Sequence, residues 1–187
     1  MLRSRTLIVA ALAAMTVPLL AAAQASAARP TFENISETFN NTINDFCDVD
    51  GLDVDHSGTF TSRLKIQKRH GLDYFLEHVH VSEVFVGNDP DVRVTVETAF
   101  LQKDLKITDN LDGTITIISL LTGPSTAYGP NGKAIARDPG QVRFRFVIDD
   151  NGTPSNPNDD FELSSEVIKG STGRSDDYCD AIVPFML

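Results

Sequence analysis

The sequence contains no tryptophan, only two cysteines, and none of the short motifs that mark the common enzyme classes. It has no G-x-S-x-G nucleophile elbow, no phosphate-binding loop, no H-E-x-x-H zinc motif and no dinucleotide fingerprint. No C-x-x-C pair supports thiol redox chemistry. These absences favour a non-catalytic role, and no cofactor is expected.

Basic residues are scarce. Arg3 and Arg5 are the only charged residues before position 28, and removing these two from the 16 basic residues leaves 14 against 26 acidic ones, a net charge of −12. Such a surface repels phosphate backbones and anionic lipid, so nucleic acid is not an expected partner. It also favours a soluble monomer.

The one long uncharged run lies at the start of the chain, between Thr6 and Ala23. A basic start, this apolar run and the small-x-small site Ala25–Ala27 predict a secretory signal peptide over residues 1–27. A retained membrane anchor is the alternative, because the run is nearly long enough to span a bilayer. Pro18 and the alanine-rich end favour cleavage, so we expect a secreted protein with no membrane insertion once the signal is removed.

Beyond residue 50, apolar side chains alternate with polar ones in four segments. Alternation of this kind is typical of antiparallel strands with one face in the core and one in water. The side chains assigned to the core face are Val92, Val94, Val96, Thr98, Phe100, Val142, Phe144, Phe146, Ile148, Phe60, Leu64, Ile66, Phe161, Leu163 and Val167.

Turn signals separate these segments. "DNLDGT" (109–114) and "GPNGK" (129–133) contain Asp-Gly and Asn-Gly, which supply the positive φ that tight hairpins need. "GNDP" (87–90) and residues 149–160 are polar connections. The pattern predicts an all-β antiparallel meander of six to eight strands closed into a small barrel, with a β-sandwich as the alternative. Closure is favoured because it removes exposed sheet edges.

Residues 28–46 have a different pattern, since apolar side chains from Phe32 to Phe46 recur every three or four residues. This spacing suits a helix lying as a lid on the sheet, although "TFENISETF" could equally begin the first strand. Residues 47–187 would form the barrel domain. In an oxidising compartment, Cys47 and Cys179 are expected to form a disulfide that closes this domain.

Several stretches resemble a group of exported Gram-positive bacterial proteins of unknown role: "FCDVDG", "DNLDGTITI", "GPNGKAIARDPGQVRFRFVIDDNGTP" and "KGSTGRSDDYC". The resemblance covers most of the chain after the signal peptide and implies a secreted β-barrel domain. It implies no site residues, because its motifs are turns and strands. More distantly, the meander is similar to the barrels of lipocalins and allene oxide cyclases, a likeness of fold that does not confer function.

The segment "EHVHVSE" (77–83) raises the question of a metal site. His78 and His80 point the same way on a strand and could both reach one zinc or copper ion. Glu83 has the opposite parity, and nothing in the spacing shows that His56 or His70 completes a ligand set. Because Val79 and Val81 define the core face, we expect the two histidines to face solvent and predict no metal site.

The same register places Glu83 among apolar residues. An inward carboxylate could act as a general base or contact a ligand, which makes Glu83 the one weak catalytic candidate. A β-bulge that turns the side chain outward is the alternative. The ligand-binding residues themselves are not predicted.

Two acidic segments bear on calcium. "DVDHSG" (53–58) begins like an EF-hand loop, but Leu64 stands where the bidentate glutamate is required, so that motif is rejected. Residues 149–160 carry enough oxygen ligands to hold calcium weakly, although a solvated loop is the preferred interpretation.

The sequence therefore favours a non-catalytic binding module for a small apolar ligand or for a partner. An isomerase or cyclase acting inside the barrel and a cell-envelope scaffold protein are the alternatives. A binding module predicts a cavity of a few hundred Å³. A scaffold predicts a filled interior and an exposed apolar patch.

Overall fold

The computed structural model describes residues 29–69, 71–153, 156 and 158–187, and the predicted signal peptide lies outside them. Within these residues, seven antiparallel strands form one sheet in chain order, followed by one short helix. The strands are β1 (Thr31–Ile43), β2 (Val54–Arg69), β3 (Leu72–Val86), β4 (Arg93–Asp109), β5 (Thr114–Tyr128), β6 (Ala134–Asp149) and β7 (Phe161–Lys169). The all-β meander and its predicted number of strands are confirmed.

The predicted closure into a barrel is wrong. Among the described residues, β1 pairs only with β2 and β7 pairs only with β6, so the sheet keeps two edges. The last strand has nine residues and covers only the end of β6, with two interruptions in register. After β7 the chain returns along the rest of β6, where the Asp176 amide donates to the Arg137 carbonyl at 3.1 Å. The chain thus covers β6 and does not reach β1.

The predicted hairpin turns lie between the strands as expected. Asn110 and Thr114 close the turn between β4 and β5, and Gly129 and Lys133 close the one between β5 and β6, each by a backbone hydrogen bond. Gly113 has a φ of 85°, a conformation that glycine adopts at little cost. Short connections of this kind impose the sequential strand order of a meander.

The strand registers give the sheet two unlike faces. We call the side that carries Val54 and Phe85 the apolar face, and the other side the polar face. The apolar face includes Ile35, Phe39, Val54, Phe60, Val79, Val81, Phe85, Val94, Val96, Phe100, Leu121, Val142, Phe144 and Phe146. The polar face includes Thr59, Thr61, Arg63, His78, His80, Glu97, Lys103, Arg143 and Arg145. The period-two pattern of β2, β4 and β6 is therefore confirmed.

The main core lies at one end of the apolar face. A 3₁₀ turn (Phe46–Asp48) and the helix α1 (Tyr178–Met186) pack there against the ends of the central strands. The buried side chains are Phe46, Leu52, Val54, Phe85, Val94, Val96, Ala127, Ala136, Ile182 and Met186. Farther along the face, Phe60, Leu64 and Phe100 are only half-buried. The 3₁₀ turn and α1 therefore cover one end of the apolar face, and the rest of that face is partly exposed to solvent.

The disulfide links the two elements that plug this end. Cys47 in the 3₁₀ turn and Cys179 in α1 have sulfur atoms 2.08 Å apart. Asp177 begins the helix, because its side chain accepts from the amides of Cys179 and Asp180. Within residues 28–46, which the sequence left as a lid or a strand, Thr31–Ile43 form β1 and Phe46 begins the 3₁₀ turn, while Ala28 lies outside the described residues.

Two features of the C-terminal third differ from the prediction. The helix α1 was not predicted within residues 47–187. The predicted alternation of Phe161, Leu163 and Val167 does not bury one face of β7, because every residue of that strand is exposed. Register shifts beside Phe144 and Ile148 break the two-residue period there.

No helix among the described residues combines the length and apolar character needed to cross a membrane.

Candidate functional site

A histidine–glutamate pair lies on the apolar face. Nε2 of His56 on β2 and Oε1 of Glu83 on β3 are 3.0 Å apart. Their side chains are 13% and 17% exposed, so solvent or a small molecule can reach them. Toward an ionised carboxylate the imidazole acts as the donor, because such a carboxylate can only accept.

Aromatic rings enclose the imidazole. The ring of Phe85 stacks on His56 with centroids 4.7 Å apart, and the ring of Phe39 lies 4.9 Å away at a tilt of 49°. Phe46 then contacts Phe85 and joins the pair to the core, with centroids 5.6 Å apart. These contacts fix the plane of the imidazole, and with it the direction of its hydrogen bond to Glu83.

A glycine makes room for this arrangement. Gly58 lies opposite Glu83 in the β2–β3 register, and opposite Phe39 in the β1–β2 register. A Cβ at Gly58 would collide with the Ser82 carbonyl oxygen and with the Phe39 ring. The missing side chain therefore lets the Phe39 ring cover the strand beside the histidine.

The register around Glu83 is continuous. Glu83 faces Gly58 on one side and Val96 on the other, with no shift in either ladder. The predicted inward parity of Glu83 is therefore present, and the alternative bulge is not. Half-buried Phe60 and Val81 lie one row farther along the apolar face.

A second polar strip crosses the same face. Thr98 on β4 and Ser125 on β5 share a hydrogen bond of 2.8 Å, and Asp138 on β6 is the cross-strand partner of Ser125. Burial raises the pKa of Asp138, and the negative charge of Asp176 raises it further. Burial also raises the pKa of the Tyr178 hydroxyl, at the start of α1. The apolar face thus has polar groups in two neighbouring rows.

The pair could act chemically in two ways. The Glu83 carboxylate can accept a hydrogen bond from a hydroxyl or amino group, while the surrounding rings contact an apolar body. An imidazole held by a carboxylate can also move a proton to or from a bound molecule. Neither action needs a metal or a cofactor in the site.

His78 and His80 lie on the polar face, as the register predicted. His80 is 57% exposed and is 3.5 Å from the Glu97 carboxylate, and His78 is exposed. Within the described part of the chain, no group of three or more histidine, cysteine or acidic side chains could hold a metal ion. His70 lies outside the described residues.

The acidic loop after β6 brings carboxylates together. Asp150 is buried and accepts from the Gly152 amide, and Asp159 accepts from Thr153. Burial raises the pKa of Asp160 to about 6, with added repulsion from Asp159, Asp150 and Asp149. The carboxylates of this loop therefore repel one another. Among the described residues of the loop, no group of three or more acidic side chains could hold a metal ion.

A shallow depression lies elsewhere on the sheet. It has a volume of about 380 Å³ and is open to solvent. Its lining residues are Thr122, Gly123, Pro124, Pro139, Gly140, Gln141, Thr172 and Gly173. It is formed by β5, β6 and the chain after β7, away from His56 and Glu83, and none of its residues can titrate. Volume alone therefore does not make it the better candidate.

Comparison with protein-family models, with curated proteins and with solved structures finds no match for this chain.

His56 is the residue that the sequence did not single out as a partner of Glu83. The two residues are 27 positions apart, and only the register of β2 against β3 makes them diagonal neighbours. The available signal was the parity of His56, which matches that of Val54 and Phe60. Once His56 and Glu83 are both assigned to the apolar face, a hydrogen-bond partner for His56 is expected, and Glu83 is the polar side chain near it.

Proposed function

We propose that this chain is an exported, non-catalytic binding protein that holds a small, mainly apolar molecule against the apolar face at His56 and Glu83. The observation that supports the proposal is a reachable, hydrogen-bonded polar pair among aromatic side chains. Ligand sites commonly combine an apolar lining with a few placed polar groups. Here half-buried Phe39, Phe60 and Val81 would supply the lining, with buried Phe85 supporting the imidazole from beneath.

The ligand should carry a hydrogen-bond donor. Oε1 of Glu83 already accepts from His56, while the second carboxylate oxygen can accept from a hydroxyl or amino group. A carboxylate on the ligand would meet the charge of Glu83 and be disfavoured. Because the face is open, the ligand buries less surface than in a closed pocket, and we expect modest affinity.

Calorimetric titration with 1-nonanol, compared with nonanoate, tests the proposal. The wild-type chain should bind nonanol saturably, one per chain, and nonanoate at least about ten-fold more weakly. The double variant His56→Phe with Glu83→Leu should lose this preference. The matched variant His80→Phe with Glu97→Leu, on the polar face, should keep it. If both double variants bind nonanol equally well and both still prefer it to nonanoate, the ligand does not bind at His56 and Glu83.

The export part of the proposal rests on residues 1–27 and on the resemblance to exported Gram-positive proteins. The disulfide supports it, because such bonds persist in oxidising compartments. N-terminal sequencing of protein recovered from the culture medium should give a chain beginning at Ala28. A chain recovered only from the cytoplasm and beginning at Met1 would contradict export.

An isomerase-type enzyme is the second candidate, and the 3.0 Å contact between His56 and Glu83 favours it. In that role the imidazole would transfer a proton, and Glu83 would orient it. Native mass spectrometry of protein from its own medium gives the mass of a retained molecule. Because an isomer has the same mass, NMR spectra of that molecule before and after incubation with the protein separate the two roles. An unchanged spectrum supports binding, while conversion to an isomer supports catalysis.

A further inference from the structure

The two edges of the sheet are unlike. β1 pairs with β2 over all 13 of its residues without a register shift. Among the described residues, no strand lies on its other side. The outer backbone groups of β1 therefore form a regular row of donors and acceptors, which is a template for a further strand.

β7 is a poor template by comparison. Its nine residues contain two register shifts against β6, and it ends at Lys169. Bulges, short length and lysine are devices by which natural sheets prevent edge pairing. β1 has no bulge and contains no proline, lysine or arginine between Thr31 and Ile43, and its only edge-protecting charges are Glu33 and Glu37.

The side chains of β1 define what a further strand must carry. Toward the apolar face, β1 presents Ile35 and Phe39 alternating with Glu33 and Glu37, and all four are half-buried. Toward the polar face it presents mainly small polar side chains, from Asn34 to Asn40. An added strand would therefore meet apolar and negative groups in turn, every second residue, on one face.

We propose that β1 takes up an extended basic segment of a partner protein as an eighth strand. On one face this segment alternates apolar residues with lysine or arginine, so that the basic side chains oppose Glu33 and Glu37. Directly opposed charges of opposite sign stabilise cross-strand pairs. This interaction uses the outer backbone edge of β1 and goes beyond the function proposed above, although the added strand also lies beside Phe39, which contacts His56.

A second copy of this chain fits the edge less well. The antiparallel self-pairing that sets Ile35 against Phe39 also sets the two Glu37 side chains against each other, which is unfavourable. After removal of residues 1–27 each copy carries a net charge of −12, since 14 of the 16 basic residues then face 26 acidic ones. The same charge attracts a basic segment and accelerates its association.

The probe is the peptide VTKTVTKTV, in which lysines four residues apart match the spacing of Glu33 and Glu37 and valines match Ile35 and Phe39. The comparison peptide VTETVTETV keeps the length and β propensity and reverses the charge. Binding to the full chain, expressed through an export pathway so that its cysteines pair, is measured by fluorescence anisotropy. The lysine peptide should bind at least about ten-fold more tightly than the glutamate peptide.

Variants locate the site. Glu33→Lys with Glu37→Lys should weaken binding of the lysine peptide at least about ten-fold, because two attractive pairs become repulsive. Glu33→Gln with Glu37→Gln keeps the side-chain size and should weaken binding by a smaller factor. This milder variant checks that the loss does not arise from misfolding. The matched control is Glu162→Lys with Glu166→Lys on β7, which makes the same change in net charge and should leave most of the affinity. An equal loss in the β7 variant would overturn the proposal by showing a general charge effect.

Backbone pairing provides the second readout. Hydrogen exchange should slow in residues 31–43 when the lysine peptide binds, and N-methylation of alternate peptide amides should abolish binding. Unchanged exchange in β1 would overturn the proposal, as would tight binding of the methylated peptide. A peptide-free chain that sediments as a dimer, with β1 protected, would assign the edge to a second copy instead.

Discussion

Nε2 of His56 and Oε1 of Glu83 lie 3.0 Å apart across two neighbouring strands, on the face of the sheet that otherwise carries mainly apolar side chains. In such a place each polar side chain depends on the other for its hydrogen bond more than it would on the surface, where water can replace the partner. Removing one member leaves the other poorly solvated. The stability of the chain should therefore report directly on this contact.

We expect His56→Phe alone and Glu83→Leu alone each to lower the free energy of unfolding by about 1–3 kcal/mol, because each leaves an unpaired polar group. The double variant should lie within about 1 kcal/mol of the wild-type chain, since both polar groups are then replaced by apolar ones. Urea unfolding at pH 7 of the wild-type chain, the two single variants and the double variant completes this double-mutant cycle.

The pair of His80 and Glu97 is the control on the polar face, where the two side chains are 57% and 37% exposed. The same cycle with His80→Phe and Glu97→Leu should give a coupling below about 1 kcal/mol, as exposed ion pairs usually do. A coupling as large as that of His56 and Glu83 would show that location on the apolar face makes no difference.

Gly58→Ala should lower the free energy of unfolding by about 1–3 kcal/mol, because the added methyl group collides with the Ser82 carbonyl and the Phe39 ring. Displacement of Phe39 should also weaken ligand binding at His56. Gly132→Ala is the comparison: its Cβ meets no atom within 4 Å, so its cost arises only from the φ of 72°. Unchanged ligand binding in Gly58→Ala would separate Phe39 from the site.

Cys47→Ser with Cys179→Ser should lower the free energy of unfolding by about 4–5 kcal/mol, since the bond closes a loop of more than a hundred residues in the chain-entropy model. The cysteines are 132 positions apart and tie α1 to the 3₁₀ turn at the core. Urea unfolding of the wild-type chain with and without reductant should give the same difference. A loss below about 1 kcal/mol would mean that packing alone holds α1 in place.

The raised pKa of Asp160 predicts that the stability of the chain depends on pH. Burial first, and then Asp159, Asp150 and Asp149, raise its pKa from 3.8 to about 6, so the folded chain holds this proton more tightly than the unfolded chain. Stability should fall as pH rises from about 4 to about 6, and the loss should persist at higher pH. Asp160→Asn should therefore raise Tm at pH 7.5 and have less effect at pH 4.

Asp112 provides a control of opposite sign. Hydrogen bonding from the Thr114 side chain lowers the pKa of Asp112, so its contribution to stability is present above the unfolded pKa and is lost on acidification. Asp112→Asn should lower Tm at pH 7.5. If both asparagine variants shift Tm in the same direction, the environments assigned to the two carboxyl groups are wrong.

The features that follow from local chemistry could be predicted from the sequence. Alternation gave the faces of β2, β4 and β6 and the inward parity of Glu83, and Asp-Gly and Asn-Gly gave the turns. Both signals depend only on neighbouring residues. The pairing of Cys47 with Cys179 could also be predicted, because the chain contains no other cysteine.

The remaining features depend on long-range geometry. Closure of a barrel requires matched tilt and stagger over all strands, and neither is encoded in the alternation of one strand. The bulges of β7 were hidden because Leu163 and Val167 still alternate in the sequence. The helix α1 has nine residues and contains Pro184, too short a pattern to stand out beside the strands. Its Asp177 cap was the available signal.

An NMR titration of the isotope-labelled chain with 1-nonanol tests ligand binding at His56 and Glu83 most directly. Saturable shifts should centre on the amides of residues 37–39, 56–60 and 81–85. Shifts centred instead on the depression at residues 122–124 and 139–141, or the absence of any saturable shift, would contradict it.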